Sequence, residues 1–305
     1  MGGRFSPLGT GFLGGIRYHQ FDFFFLITAD HVLDMIRGDE IAVRMNRKGM
    51  DPITLRCLKG GLKDKQNDIA LIQIQIPENH DHHALRLDRN LHEIELRDLW
   101  SPDVGDEVVT VGLYASHYGH SRNVPVVRVG NIARMPDDEH VRSTRGVYCS
   151  AYLVETRSIV GLSGSPVFLN VPHMTIDPDT DKPRFLTGSG VKAIPIGMML
   201  GYHLVRSAED QIGVPSDDDD SDPSPDTDER NTGFAVVIPI ERIFDMVEHD
   251  ITIAKIERAI AVHDPEIRGQ VGSIAPSLDD GKPLMARLQS GDDGLRKSST
   301  ISLSR

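Results

Sequence analysis

Cysteine is scarce in this chain: Cys57 and Cys149 are the only two in 305 residues. That excludes a disulfide-stapled framework and favours a reducing, cytoplasmic setting with two free thiols. Positive charge is the scarcer sign. The 33 Lys and Arg stand against 45 Asp and Glu, for a net charge of −12, which argues against nucleic acid or an anionic membrane as the main partner. No apolar run approaches the ~18 residues that a membrane-spanning helix needs. Met1 to Ser6 lacks the charged-then-apolar plan of a secretory signal. Gly2 and Ser6 fit a myristoylation pattern, but one so short that little weight attaches to it.

Glycine and proline, by contrast, are plentiful, with 28 and 18 residues. They punctuate many short apolar runs: Leu8 to Leu13, Phe21 to Thr28, Ile41 to Met45, Ile53 to Leu58, Asn67 to Ile76, Val104 to Leu113, Pro125 to Ile132, Val147 to Glu155, Val167 to Leu169, Val191 to Leu200 and Gly233 to Ile240. Short strands at this density read as an all-β barrel or sandwich. In Asn67 to Ile76 the apolar residues alternate with glutamines towards the end, the mark of a half-buried strand. Ile240, Ile243, Phe244 and Val247 share one helical face, predicting a helix that closes the core.

Pro77 to Arg97 is charged and aperiodic, and the connection between two domains is expected there. The expected division is residues 1–85, 86–250 and a polar tail, 251–305. His80, His82 and His83 in the connection could bind a metal, but a solvated linker explains them equally and no closed ligand set accompanies them. No metal and no cofactor is expected. Asp217 to Glu229 has almost nothing to bury and repels itself. It lacks the glycine and ligand spacing of an EF-hand loop.

The residues that carry chemistry are three. Ser163 stands between Gly161-Leu162 and Gly164-Ser165-Pro166. Glycines free its hydroxyl from neighbouring side chains and let backbone N–H groups converge on one point, as an oxyanion requires. The same residues also make an ordinary turn before a strand. A serine nucleophile needs a base. His31 follows a buried strand that would hold it rigidly, although a core or capping histidine would sit there as well. Asp68 opens another strand, as a partly buried carboxylate or a plain acidic turn residue.

Their order is His31, Asp68, Ser163, the order of the chymotrypsin type of triad rather than the subtilisin or α/β-hydrolase types. Ile27-Thr28-Ala29-Asp30-His31 resembles the Thr-Ala-x-His segment of trypsin-like serine proteases. Asn67-Asp68-Ile69-Ala70-Leu71 resembles their Asp-Ile-Ala-Leu segment, and Gly161 to Pro166 their Gly-Asp-Ser-Gly-Gly-Pro loop. Gly9-Thr10-Gly11-Phe12 and Gly233 to Pro239 are similar to the first and last strands of the bacterial branch that includes the high-temperature-requirement proteases.

The resemblance implies two packed antiparallel Greek-key β-barrels, with His31 and Asp68 from the first and Ser163 from the second. It implies Ser163 as nucleophile, His31 as general base, Asp68 as the residue orienting it, and the N–H groups of Gly161 and Ser163 as oxyanion donors. Its partners would be a protein or peptide substrate, with room for a regulatory protein. Arg157 would fall at the base of the specificity pocket, Met199, Leu200 and Gly201 along one wall and Gly233 to Ala235 along the other. Leu162 and Ser165 depart from the common loop and read as markers of the bacterial branch. No disulfide of the secreted enzymes can form, no propeptide is expected, and no PDZ-like module is expected after the helix. A protease-fold binding protein without turnover, or an acyl hydrolase using the same triad, would carry the same residues.

Overall fold

The computed structural model describes residues 7–18, 21–76, 81–98, 100–119, 121–137, 139–142, 148–156, 161–171, 174–177, 182–185, 193–205 and 230–263. The described residues are mostly β-strand, and all the strands among them fall in one compact unit, Met1–Phe244; Asp245–Arg305 forms a second.

The N-terminal half is built from β1 (Phe12–Tyr18), β2 (Phe21–Ala29), a one-turn helix α1 (Asp30–Asp34), β3 (Glu40–Arg47), β4 (Met50–Leu58), β5 (Leu62–Asp64), β6 (Ile69–Ile74) and β7 (Ala84–Arg86). Five of these make a sheet in the order β5-β6-β2-β1-β7, while β3 and β4 pair only with each other. The hairpin and the sheet nevertheless share one core, in which Leu13 and Leu26 meet Ile41 and Met45. Strand β6 lies inside the sheet, and Ile69, Ala70, Leu71, Ile72 and Ile74 are all buried. The alternation expected towards the end of this run is present from Ile72 to Gln75, where Ile72 and Ile74 are buried and Gln73 and Gln75 exposed; before it Ile69, Ala70 and Leu71 are buried without a break. Ile69 to Leu71 are also the residues of β6 paired on both edges, with β2 and with β5.

The C-terminal half closes a barrel of six antiparallel strands in the order β12-β17-β16-β13-β8-β9. These are β8 (Glu107–Leu113), β9 (Pro125–Arg134), β12 (Tyr152–Glu155), β13 (Pro166–Asn170), β16 (Ala193–Val205) and β17 (Arg230–Pro239). Two small ladders accompany it, β10 (Val141–Arg142) with β11 (Tyr148–Cys149), and β14 (Met174–Asp177) with β15 (Lys182–Phe185). Val154, Val167, Leu169, Ile194, Ile196 and Val237 fill the interior. Full closure removes the free edges that an open sheet would expose.

The connection expected to be aperiodic holds order that the sequence did not disclose. Besides β7 it contains helix α2 (Arg89–Asp98). Its His92 is buried, and the ring lies 5.4 Å from that of Phe244. Phe244 belongs to α3 (Ile240–Glu248), the helix expected from the spacing at 240, 243, 244 and 247; all four residues are buried. The polar tail does not begin at residue 251. Asp250–His263 forms α4, with Ile253, Ile256 and Ile260 buried at helical spacing. Asp217 to Glu229 lies outside the described residues. Among the described residues no helix is long and apolar enough to cross a membrane.

Candidate active site

Antiparallel pairing of β2 with β6 sets Ala29 opposite Ile69. The residues just beyond that pair, Asp30-His31 at the start of α1 and Asp68 just before β6, are thereby neighbours. Asp68 has φ of 55°, and it is the one non-glycine residue with positive φ among those described. Aspartate is among the few residues that tolerate this conformation. The turn that imposes it is tied by Asp64, whose Oδ1 accepts the N–H groups of Gln66 and Asn67 at 3.0 Å and whose Oδ2 accepts the Asn67 amide at 2.6 Å.

So placed, Asp68 receives three donors from α1. Its carbonyl accepts the Asp30 N–H at 3.0 Å, its Oδ1 the His31 N–H at 2.9 Å, and its Oδ2 faces His31 Nδ1 at 2.6 Å. Ala29, the N-cap of α1, offers no side-chain cap, so Asp68 caps the helix from across the sheet. The Asp68 side chain is only 3% exposed and that of His31 18%. With Nδ1 held as a donor to the carboxylate, Nε2 is left as the acceptor nitrogen of the ring. Beside them, buried Asp30 is paired with Lys63 Nζ on β5 at 2.5 Å.

Ser163 stands in the loop that leads into β13. Thr10, just upstream of β1, ties that loop to the N-terminal half. Its N–H donates to the Ser163 carbonyl at 2.9 Å, and its hydroxyl donates to the Gly161 carbonyl at 2.7 Å while accepting the Leu113 N–H at 2.9 Å. The Thr10 carbonyl in turn accepts the Thr28 hydroxyl at 2.7 Å. Sequence reasoning marked Thr10 only as part of a glycine-flanked motif; that flanking was the available signal of a close backbone approach.

Glycine is required at 164, where φ is 85° and an added Cβ would press on the Thr10 carbonyl, the Thr28 hydroxyl and, at 3.2 Å, the Ala29 nitrogen. Gly164→Ala is expected to cost about 1–3 kcal/mol from backbone conformation alone, before the clash is counted. A melting temperature within a degree of the parent protein's would refute this packing.

The N–H groups of Gly164 and Ser165 are bound to the carbonyls of Met199 and Leu162. Those of Gly161 and Ser163 meet no acceptor among the described residues. The Ser163 hydroxyl donates to the Leu200 carbonyl at 2.9 Å, and no hydrogen bond joins it to His31. Ser165 is wholly buried, and its Oγ has no partner among the described residues.

No protein-family model and no curated protein matches this chain.

The structure thus brings the backbone of Met199 and Leu200 against the Ser163 loop, but not as a pocket wall of apolar side chains. Both side chains are 0% exposed, and Met199 belongs to the barrel core. Met199 and Leu200 meet the Ser163 loop through their backbone carbonyls. Gly201 is buried and follows a bulge in the β16–β17 pairing; Arg157 lies outside the described residues. His82 packs edge-on against Phe24, and no cluster of three metal-ligating side chains occurs among the described residues; His80 lies outside them. Both thiols are free. Burial, reinforced by the negative charge of Asp68, pushes the Cys149 thiol up to about 11. The thiol is therefore uncharged at neutral pH.

Proposed function

We propose that this chain is a serine endopeptidase of the trypsin-like type, hydrolysing peptide bonds through an acyl-enzyme on Ser163. The observation that carries the reading is the two-point hold of Asp68 on the backbone and ring of His31. It fixes one tautomer and one orientation, which is what a general base for serine requires. In this reading the Ser163 oxygen attacks the scissile carbonyl while its proton passes to His31 Nε2. The carbonyl oxygen, now negative, is received by the N–H groups of Gly161 and Ser163. Collapse of the tetrahedral intermediate breaks the C–N bond, and His31 returns the proton to the departing amine. Water, deprotonated by the same nitrogen, then cleaves the ester and frees Ser163.

The fold in this reading is a chymotrypsin-like pair of Greek-key barrels, of which the C-terminal one closes among the described residues. Two unpaired cysteines support a cytoplasmic site of action. The partner is a protein or peptide substrate.

One observation favours a second reading, a protease-fold binding protein without turnover: Ser163 is engaged by Leu200 rather than His31. Under the first reading, substrate binding turns the hydroxyl from Leu200 towards Nε2. Catalytic hydrogen bonds commonly tighten only once substrate is in place. Incubation with an unfolded protein, and with matched peptide and ester substrates, tests the proposal. Internal peptide cleavage with new termini in the mass spectrum is expected. Ester hydrolysis alone would make the chain an acyl hydrolase, and turnover of neither would favour the binding protein.

A further inference from the structure

Strand β5 (Leu62–Asp64) is three residues long, yet its two charged side chains hold the two chain segments that carry the His31–Asp68 dyad. It lies at the edge of the sheet, where Lys63 pairs with Ala70 and Asp64 with Ile69 of β6. On their other side those two β6 residues pair with Thr28 and Ala29 of β2. Successive residues of a strand point to opposite faces, and here they serve opposite members of the dyad. Asp64 ties the turn that sets the backbone of Asp68. Lys63 reaches α1: its Nζ lies 2.5 Å from Asp30 Oδ1 and 3.7 Å from Asp34 Oδ1.

Asp30 fills the unspecified position of the Thr-Ala-x-His segment and directly precedes His31. Its side chain is 1% exposed, more deeply buried than that of Asp68 at 3%. A carboxylate so buried is costly unless it is paired. Unpaired, it would set a second negative charge beside the imidazole, in competition with Asp68. The Asp30 N–H donates to the Asp68 carbonyl, so the two acidic residues also share one backbone link. The charged and titratable groups gathered here, among the described residues, are Asp30 and Asp34 of α1, Lys63 and Asp64 of β5, Asp68, and Cys149 of β11. The Cys149 thiol feels the charge of Asp68 but is itself uncharged at neutral pH. Lys63 is the one lysine or arginine in this set.

We propose that Lys63 is a positioning residue for His31, acting through Asp30. Its ammonium neutralises the buried Asp30 carboxylate and holds α1 against β5. Asp68 is left as the one buried carboxylate whose charge the imidazole meets uncompensated. An ion pair that served only to hold the fold would leave the titration of His31 unchanged. The inference rests on the reading of His31 as the general base, but its test needs no turnover.

The test follows the titration of the His31 ring by NMR in the full chain, with fluorophosphonate labelling of Ser163 measured alongside. Asp30→Asn is the deciding variant, since it leaves no buried carboxylate unpaired. With its partner gone, the Lys63 ammonium disfavours the imidazolium. The His31 midpoint is then expected to fall by roughly half a pH unit, a fraction of the ~1–3 units that a charge in direct contact produces. Lys63→Met should move it the opposite way, because the carboxylate left beside the ring favours the imidazolium. Lys63→Arg should titrate as the parent does, and Asp30→Asn combined with Lys63→Met should return to the parent midpoint. If Lys63→Met does not fold, the downward shift in Asp30→Asn and its removal in the double variant decide alone. A parent-like midpoint in Asp30→Asn, or shifts of one sign in both single variants, would overturn the proposal. Absence of Ser163 labelling in the parent protein, with the opposed shifts intact, would instead overturn the peptidase reading and leave the role of Lys63 standing. Labelling without the shifts would do the reverse.

Discussion

Ser163→Ala is expected to abolish acyl-enzyme formation and lower turnover on the order of 10⁶-fold, since a triad without its nucleophile retains only binding and oxyanion stabilisation. The fold should survive. The hydroxyl's recorded bond is to the Leu200 carbonyl, and losing one such bond costs about 1 kcal/mol. Ser165, two residues on, is the obvious substitute by sequence, but it is 0% exposed and lies against Gly112, where an added Cβ would meet its oxygen. Rescue by Ser165 is therefore not expected. Peptide turnover by Ser163→Ala near the parent rate, with an unchanged melting temperature, would remove Ser163 from the mechanism.

Asp68→Asn should lower turnover on the order of 10⁴-fold while keeping the backbone in place. Asparagine tolerates the positive φ of position 68, and its carbonyl oxygen can still accept the His31 N–H. Its NH₂, however, would face Nδ1. The imidazole must then present Nδ1 as acceptor and carry its proton on Nε2, where it cannot receive one from serine. Turnover rather than stability is the quantity that moves. An Asp68→Asn protein within tenfold of the parent rate would point to another carboxylate. Asp64, the nearest by sequence, is spoken for: its oxygens hold Gln66 and Asn67 in the turn.

Where the sequence was informative, it was through residues whose type is dictated locally. The apolar run of β2 and the run from Ile69 placed two strands, and antiparallel pairing of neighbours did the rest for His31 and Asp68. Gly161 and Gly164 marked a loop with φ values of 102° and 85° that few other residues could adopt. What stayed hidden depends on tertiary partners. Helix α2 looked aperiodic because the buried residue among those described is a histidine, its ring tilted against a phenylalanine far along the chain. The burial of Met199 and Leu200 follows from barrel closure, which no local pattern encodes. The Ser163 to Leu200 bond joins a loop to a strand distant in sequence, which no local signal announces.

The central claim is that His31, Asp68 and Ser163 form one reactive unit. A fluorophosphonate probe tests it most directly, because it reports activated serines without needing the natural substrate. Peptide mapping of the labelled full chain should find one adduct, on Ser163, absent after heat denaturation and strongly diminished in His31→Ala and Asp68→Asn. A folded protein that acquires no adduct on Ser163, or acquires it equally without His31, would contradict the account.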